Sequence, residues 1–369
     1  MKRIISFVKR EVVFSVSLLL TVLSVFLNPH PETYLSFVDF GMLMMLFSLM
    51  GISSGLEKSG LFHALGSALV GKSGNVRVLA LLLVFLPFFT SALVTNDVSL
   101  IMFIPFTLAL VRGLMDIRER VTLVTLQTVA ANLGSMMLPV GNPQNLYLFS
   151  RYGLSAGNFF PAVLPYSALS LILLALSVFL FFPSRAVRAG EEAGKPDAKM
   201  GALFLALLVL ALLSVFGFVP DYAVFLISLA VFALTLRSFF RSADYILLLT
   251  FVCFFIFSGN LAACEQVRRF FARLIEAYPL ATTVMTCQVI SNVPAAVLLS
   301  GFTENARLLL TGTNIGGLGT PIASLASLIT IKFVLKEDKS EVKGFWGVFL
   351  SFNFAFLVIL MAAAMFLGV

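Results

Sequence analysis

The residues with chemistry to offer in this chain sit in four short polar runs, each inside strongly apolar sequence. "ALVTNDVSL" (Ala92 to Leu100) brings Thr95, Asn96 and Asp97, and "NLGSMMLPVGNPQNL" (Asn132 to Leu146) brings Asn132, Gly141, Asn142 and Asn145. "QVISNVPAA" (Gln288 to Ala296) carries Ser291 and Asn292, and "NIGGLGTPIASLASL" (Asn314 to Leu328) carries Asn314, Ser324 and Ser327. Amide and hydroxyl groups ligate a small cation or hydrogen-bond a small solute without the cost of a buried charge. Pro139, Pro143 and Pro321 interrupt any helix they enter, and Gly141 permits close backbone approach. A broken helix bares carbonyls on one side of the break and N–H groups on the other. The carbonyls can hold Na⁺, and the N-terminal end of the second half-helix can receive an anion.

Asp97 is the one ionisable residue between Arg77 and Arg112. A carboxylate at that depth is expensive unless paired. Two readings stand together: a cation ligand or protonatable coupling group, and a helix cap accepting N–H bonds at the start of the next helix. With no cation nearby, a negative Asp97 would repel an anionic substrate, so it calls for a bound cation or a substrate that is not a multivalent anion.

The elements that must position these residues are membrane helices. The chain has 369 residues, 60% hydrophobic and 12% charged, too little polar surface for a water-soluble fold. Runs such as Val12 to Leu27 and Ala202 to Val219 are long enough to cross ~30 Å of hydrocarbon. The opening "MKRIISFVKR" lacks a small-residue cleavage site after its apolar run and reads as a retained first span. With the N-terminus inside, spans are expected at 12–28, 37–54, 121–150, 158–182, 200–219, 222–240, 243–263, 305–331 and 345–368. The stretches 77–111 and 278–302 each leave and return on one side. This arrangement leaves Arg151, Arg268, Arg269, Arg273 and Arg307 outside and places the other 20 of the 25 basic residues inside, as the positive-inside rule requires. It predicts a multi-pass protein of the cytoplasmic (inner) membrane with its C-terminus outside. The net charge of +7 is thereby explained without nucleic acid.

The runs repeat. Asn132, Gly134, Pro139, Asn142, Asn145 and Leu146 fall on Asn314, Gly316, Pro321, Ser324, Ser327 and Leu328, all at an offset of 182, and Asn96 falls on Asn292 at 196. Each half thus holds a polar-tipped re-entrant hairpin followed by a broken transmembrane helix, and the sidedness makes the halves inverted. The expected fold is an all-α polytopic membrane protein of two inverted repeats, at 37–182 and 243–369. A first span lies at 1–30, a solvated linker at 183–199 and scaffold spans at 200–240. Paired interrupted segments of this kind point to the central site of a secondary transporter working by alternating access. The alternative for a lone intramembrane Asn is helix-to-helix glue; four clusters in register favour a site.

These motifs resemble the ion transporter superfamily, the citrate-transporter-like fold shared by divalent-anion/sodium symporters, arsenite permeases and sodium/proton antiporters. "TND" and "SNV" stand where the symporters carry Ser-Asn-Thr, and "GNPQN" resembles their Gly-Thr-Pro-Pro-Asn loop. "PIASLASL" looks more like the arsenite permeases. The resemblance implies one cation at the first tip and loop, a second at the other pair, and substrate between the tips. Thr95, Asn96, Ser291, Asn292, Asn142 and Ser324 are then expected to bind substrate. Asp97, Asn132, Gly141, Asn145, Asn314 and Ser327 are expected to bind or couple the ion. It further implies a homodimer formed through the scaffold, a small inorganic or carboxylate anion as substrate, and Na⁺ or H⁺ as coupling ion with no other cofactor. The alternative is a Na⁺/H⁺ antiporter or an arsenite-type efflux permease.

Other signals are weaker. Cys253, Cys264 and Cys287 show no metal spacing. Cys264 to Ala277 reads as an amphipathic surface helix with Arg268, Arg269 and Arg273 towards water, and Gly60 to Gly71, with His63, as its counterpart inside. Asp39 and Asp244 open matching spans as helix caps. His30 and His63 lie in loops, and Asp97 has no second membrane carboxylate, which argues against an intramembrane protease. No phosphate-binding loop of the Gly-x-x-x-x-Gly-Lys-Ser/Thr kind is present, so energy must come from an ion gradient or a separate partner.

Overall fold

A computed structural model describes residues 11–26, 28–61, 64, 73–111, 113–186, 196–334 and 339–369. The expected inner amphipathic helix with His63, and most of the 183–199 linker, lie outside the described residues. Among the described residues there is no strand beyond one isolated bridge, Asn75 to Ala186, and the architecture is all-α. Six helices among the described residues are long and apolar enough to cross a membrane.

The described residues begin with α1 (Val12–Ser24), which two short helical turns at Pro31–Thr33 and Tyr34–Phe37 connect to α2 (Phe40–Lys58). Helices α3 (Val76–Val94) and α4 (Asn96–Val111) form the first hairpin. The first broken helix is α5 (Ile117–Gly134) and α6 (Pro143–Arg151), with two single 3₁₀ turns between them. Then come α7 (Ala156–Phe181), α8 (Ala198–Val215), α9 (Asp221–Thr235), α10 (Tyr245–Ala263) and the surface helix α11 (Glu265–Ala277). The second hairpin is α12 (Pro279–Ile290) and α13 (Asn292–Leu299). The second broken helix is α14 (Ala306–Gly316) and α15 (Leu325–Val334), followed by α16 (Lys339–Phe366).

Local chemistry explains the punctuation. Asp39 and Asp244 accept from the backbone N–H of Met42 and Leu247, capping α2 and α10 as their positions suggested. Asp116 and Glu119 form a reciprocal capping box at the start of α5. Prolines break the two long helices only where loop residues can take up the freed groups: Pro139 opens a 3₁₀ turn and Pro143 starts α6. Pro87 sits inside α3 without breaking it. Its missing N–H frees the Leu83 carbonyl, which instead accepts from Gln127 Nε2 of α5 at 2.9 Å. Both Cys264–Ala277 arginine positions and the helix itself match expectation: Arg268, Arg269 and Arg273 are exposed on α11.

Both hairpins double back inside the protein. At 1.5 Å per residue α12 and α13 span about 18 and 12 Å, short of the ~30 Å of hydrocarbon. The first hairpin has longer arms, but its tip is also buried, with Asn96 5% exposed and bonded to Asn132. Each hairpin's first arm packs on the first half of its own broken helix, α3 on α5 and α12 on α14. Each second arm packs on the second half of the other, α4 on α15 and α13 on α6. Around this core, α2 packs on α8 and α9, where Phe204 and Phe232 stack 6.1 Å apart, and α1 packs on α10. Asn260 of α10 donates to Ser24 Oγ at 3.0 Å and accepts from Asn28 at 3.2 Å, so the first span is tied by polar bonds to a helix of the second half.

The start of the linker is anchored, where a wholly solvated connector was expected. Arg185 reaches both carboxylate oxygens of Glu119, at 2.8 and 3.1 Å, and Arg77 donates to Phe182 O. One face of the molecule therefore gathers the bases of α3 and α5 with the end of α7.

Candidate functional site

The two broken segments cross each other, and four hydrogen-bonded pairs record the direction. Thr128 and Thr330 share a bond of 2.6 Å, and Ser324 Oγ donates to Asn132 Oδ1 at 2.8 Å. Asn142 Nδ2 donates to Asn314 Oδ1 at 3.0 Å, and Asn314 Nδ2 donates to Asn145 Oδ1 at 2.6 Å. As one segment rises from 128 to 145, its partner falls from 330 to 314. The two run antiparallel through the centre of the molecule.

The hairpin tips meet this crossing. Thr95 and Ser291 join the arms with φ of 77° and 75° and ψ of 152° and 158°. That corner of backbone space is nearly reserved for glycine and costs roughly 1–3 kcal/mol. The same strain at both tips turns the following Asn inward. Asn96 Oδ1 accepts from Asp97 N–H at 3.0 Å, and Asn292 Oδ1 accepts from Val293 N–H at 2.9 Å. Asp97 Oδ1, by contrast, is buried and accepts nothing among the described residues. Thr95→Gly should relieve the strain, less the extra chain entropy of glycine, about 0.5–1 kcal/mol. A net gain near ~1 kcal/mol, visible as a higher melting temperature that Thr95→Ala does not reproduce, is the expected result.

Between tips and crossing lies a cavity of about 20 Å³, room for one water-sized guest. Its polar wall is Asn96, Asp97, Gln144, Ser291, Asn292 and Ser324, closed on the other side by Thr250, Phe251 and Phe254 of α10. No lysine or arginine lines it among the described residues. Four helices present their first residues to this space: α4 with Asn96, α6 with Pro143, α13 with Asn292 and α15 with Leu325. Their N-terminal ends supply the positive potential that basic side chains would otherwise provide.

Of the residues singled out by sequence, Asn96, Asp97, Ser291, Asn292 and Ser324 come together at the cavity. Asn132 stands behind Asn96 and Ser324, accepting from both and leaving its Nδ2 without a partner. Asn142, Asn145 and Asn314 are taken up by one another, by Ser135 Oγ and by the Met136 and Leu310 carbonyls. They cross-link the two broken helices. Thr95 shapes the tip, and Ser327 is buried on α15 with its hydroxyl unpartnered; neither lines the cavity. A Cβ on Gly141 would stand 2.1 Å from the Ser135 carbonyl, so that glycine serves the packing of its own loop.

Two glutamines escaped the sequence reading. Gln144 is 2% exposed and lines the cavity with an unpartnered Oε1. Gln288 braces the second break, donating to the Gly316 and Leu318 carbonyls at 2.9 Å and accepting from Thr320 N–H at 2.8 Å. The available signal was their polarity inside apolar segments. Gln127, bonded to Leu83 O and Thr107 Oγ1, carries the same signal and holds three helices together instead.

Comparison with known proteins agrees with this architecture. The family model described as citrate transporter matches residues 4–307. The inner membrane protein YbiR of Escherichia coli (strain K12) is 32% identical over 84% of this chain and 84% of its own length. An uncharacterised transporter of Methanocaldococcus jannaschii is 31% identical over 86% of this chain and 87% of its own. A silicon efflux transporter of Oryza sativa subsp. japonica is 32% identical over 35% of this chain and 26% of its own length. By the reach of the family model and the cover of these relatives, the chain is a multi-pass membrane protein that belongs to the citrate transporter family.

Proposed function

We propose that this protein is an ion-coupled secondary transporter of a small inorganic oxyacid or its anion, working by alternating access in the cytoplasmic membrane, with Asp97 as the coupling group. The observation that carries the reading is the cavity: four helix N-termini converge on it, Asp97 and Gln144 line it and each keeps one buried oxygen without a hydrogen-bond partner, and among the described residues no basic side chain lines it. Helix N-termini favour electron-rich oxygen, and the two free acceptors favour a donor. A hydroxylated oxyacid offers both. A tricarboxylate brings several full negative charges to a space that already holds the Asp97 carboxyl group and is lined by no lysine or arginine among the described residues. The silicon named for the rice relative fits the same chemistry. The antiparallel crossing and the paired strained tips support an inverted-repeat core that moves against α2, α8 and α9. The clustering of the α3 and α5 bases on one face, away from Arg151 and Arg307, supports a cytoplasmic N-terminus.

Binding is tested by thermal shift of the purified protein against silicate, arsenite, sulfate and citrate, since a ligand of the folded state raises its apparent stability. Silicate or arsenite should stabilise and citrate should not; stabilisation by citrate alone would overturn the oxyacid reading. Asn96→Ala and Asn292→Ala should remove transport in proteoliposomes while membrane insertion stays intact, and uptake at the unsubstituted rate in either variant would refute the site. The second reading, a Na⁺/H⁺ antiporter, draws on the same unpartnered Asp97 and Gln144 oxygens, which suit a bare cation. It predicts that Na⁺ alone collapses an imposed pH gradient, with no oxyacid present.

A further inference from the structure

A second cavity lies one helical turn beyond the first along the same three helices. On α6, Pro143 and Gln144 line the central cavity, while Tyr147 and Arg151 line the second. On α10 the division falls between Phe254 and Phe255, and Ser258, Gly259, Ala262 and Ala263 continue outward. On α13 and the two residues after it, Val293 and Pro294 belong to the inner space, and Val297, Ser300 and Gly301 to the outer. Positions three and four apart share a helix face, so the two cavities are successive stretches of one groove. The second measures about 430 Å³ and reaches the surface at Ser36, Arg151 and Ala263, all exposed.

Tyr147 and Phe255 line the second cavity next to Gln144 and Phe254 of the first. Tyr147 is 6% exposed, its hydroxyl shares a 2.7 Å hydrogen bond with Ser300 Oγ, and its ring lies 5.6 Å from that of Phe255. Tyr147 and Ser300 belong to the broken helix and hairpin that carry the site. Phe255 belongs to α10, which also walls the central cavity with Phe251 and Phe254. A shift of α10 away from α6 and α13 would part the two rings while leaving the Tyr147–Ser300 bond whole.

We propose that the larger cavity is the access chamber of the central site and that Tyr147, held by Ser300 and packed on Phe255, is the gate between them. The route runs from the Arg151 rim past Tyr147 to Gln144 and Asp97. This rests on the transporter reading, but its test needs no substrate. In a background with Cys253→Ser, Cys264→Ser and Cys287→Ala, single reporters are placed in the chamber (Ala262→Cys) and in the central cavity (Thr250→Cys). Both are treated with a membrane-impermeant methanethiosulfonate in intact cells and in inverted vesicles. Ala262→Cys should react from one side only, and that result defines the side on which the chamber opens. From that side Thr250→Cys should react slowly, then several-fold faster once Tyr147→Ala or Phe255→Ala is added, and faster by less with Tyr147→Phe, which keeps the ring but gives up the Ser300 bond. The proposal falls if neither alanine variant changes the Thr250→Cys rate. It falls equally if Thr250→Cys reacts as fast as Ala262→Cys with Tyr147 in place, or reacts only from the opposite side. Phe255→Ala carries the test should Tyr147→Ala not elute as a monodisperse protein. A gate that opens as described in a protein that moves no oxyacid would overturn the substrate and leave the route standing.

Discussion

Asp97→Asn should uncouple transport and stabilise the protein at once. Asp97 faces a central cavity with one carboxylate oxygen buried and unpartnered, beside neutral ligands. An amide has nearly the same shape but neither the charge that holds a cation nor the ability to exchange a proton. Gradient-driven accumulation should therefore fall by about tenfold or more, the size of an ordinary coupling free energy, while exchange of labelled for unlabelled substrate continues. A charged residue at the centre of a membrane helix costs about 2.5–3.5 kcal/mol on insertion scales, so removing the charge should also raise the melting temperature. Proteoliposomes with imposed pH or Na⁺ gradients read the first effect, and thermal unfolding in detergent reads the second. Unaltered pH and Na⁺ dependence would reduce Asp97 to a structural residue. Its buried Oδ1 accepts no N–H among the described residues, so that oxygen is not serving as a helix cap.

The largest structural effect is expected at Gly134, the last residue of α5. A Cβ there would stand 1.9 Å from the Phe88 carbonyl oxygen of α3. The Gly134 φ is −69°, so the requirement is for space and not for an unusual backbone angle. Its counterpart Gly316 meets Cys287 Sγ at 2.8 Å, at the matching contact of the second hairpin with the second broken helix. Overpacking a core costs about 1–3 kcal/mol when side chains can yield, and a backbone carbonyl yields less. Gly134→Ala should cost at least that, a large share of a stability of ~5–15 kcal/mol, and should lower both the melting temperature and the yield of folded protein. Gly316→Ala should be milder, since a cysteine side chain can turn aside. Gly344→Ala and Gly347→Ala, with nothing within 4 Å of the added carbon, should be neutral or gain up to about 1 kcal/mol of helix propensity. Yield of monodisperse protein and melting temperature rank all four. A Gly134→Ala protein as stable as the Gly344→Ala one would contradict the packing of α3 on α5.

The membrane class, the helices, both hairpins and both breaks were legible in the amino-acid order, because each has a local cause. Hydrophobic length makes a span, Pro139, Pro143 and Pro321 stop hydrogen bonding where they stand, and Asp39 and Asp244 cap the helix that follows. The polar tips were equally visible as Asn in apolar sequence. Which polar groups keep a free oxygen was decided only in three dimensions. Asn142, Asn145 and Asn314 look like ligands along the chain, yet the antiparallel crossing brings residues about 170 positions apart within 2.6–3.0 Å and consumes them. Gln144, flanked by Pro143 and Asn145, looks like one more early helix residue, yet the same crossing places it on the cavity wall with Asp97 and leaves its buried oxygen without a partner. Breaking a helix takes neighbours in sequence, whereas satisfying or sparing a buried amide takes neighbours in space, and those come from other helices.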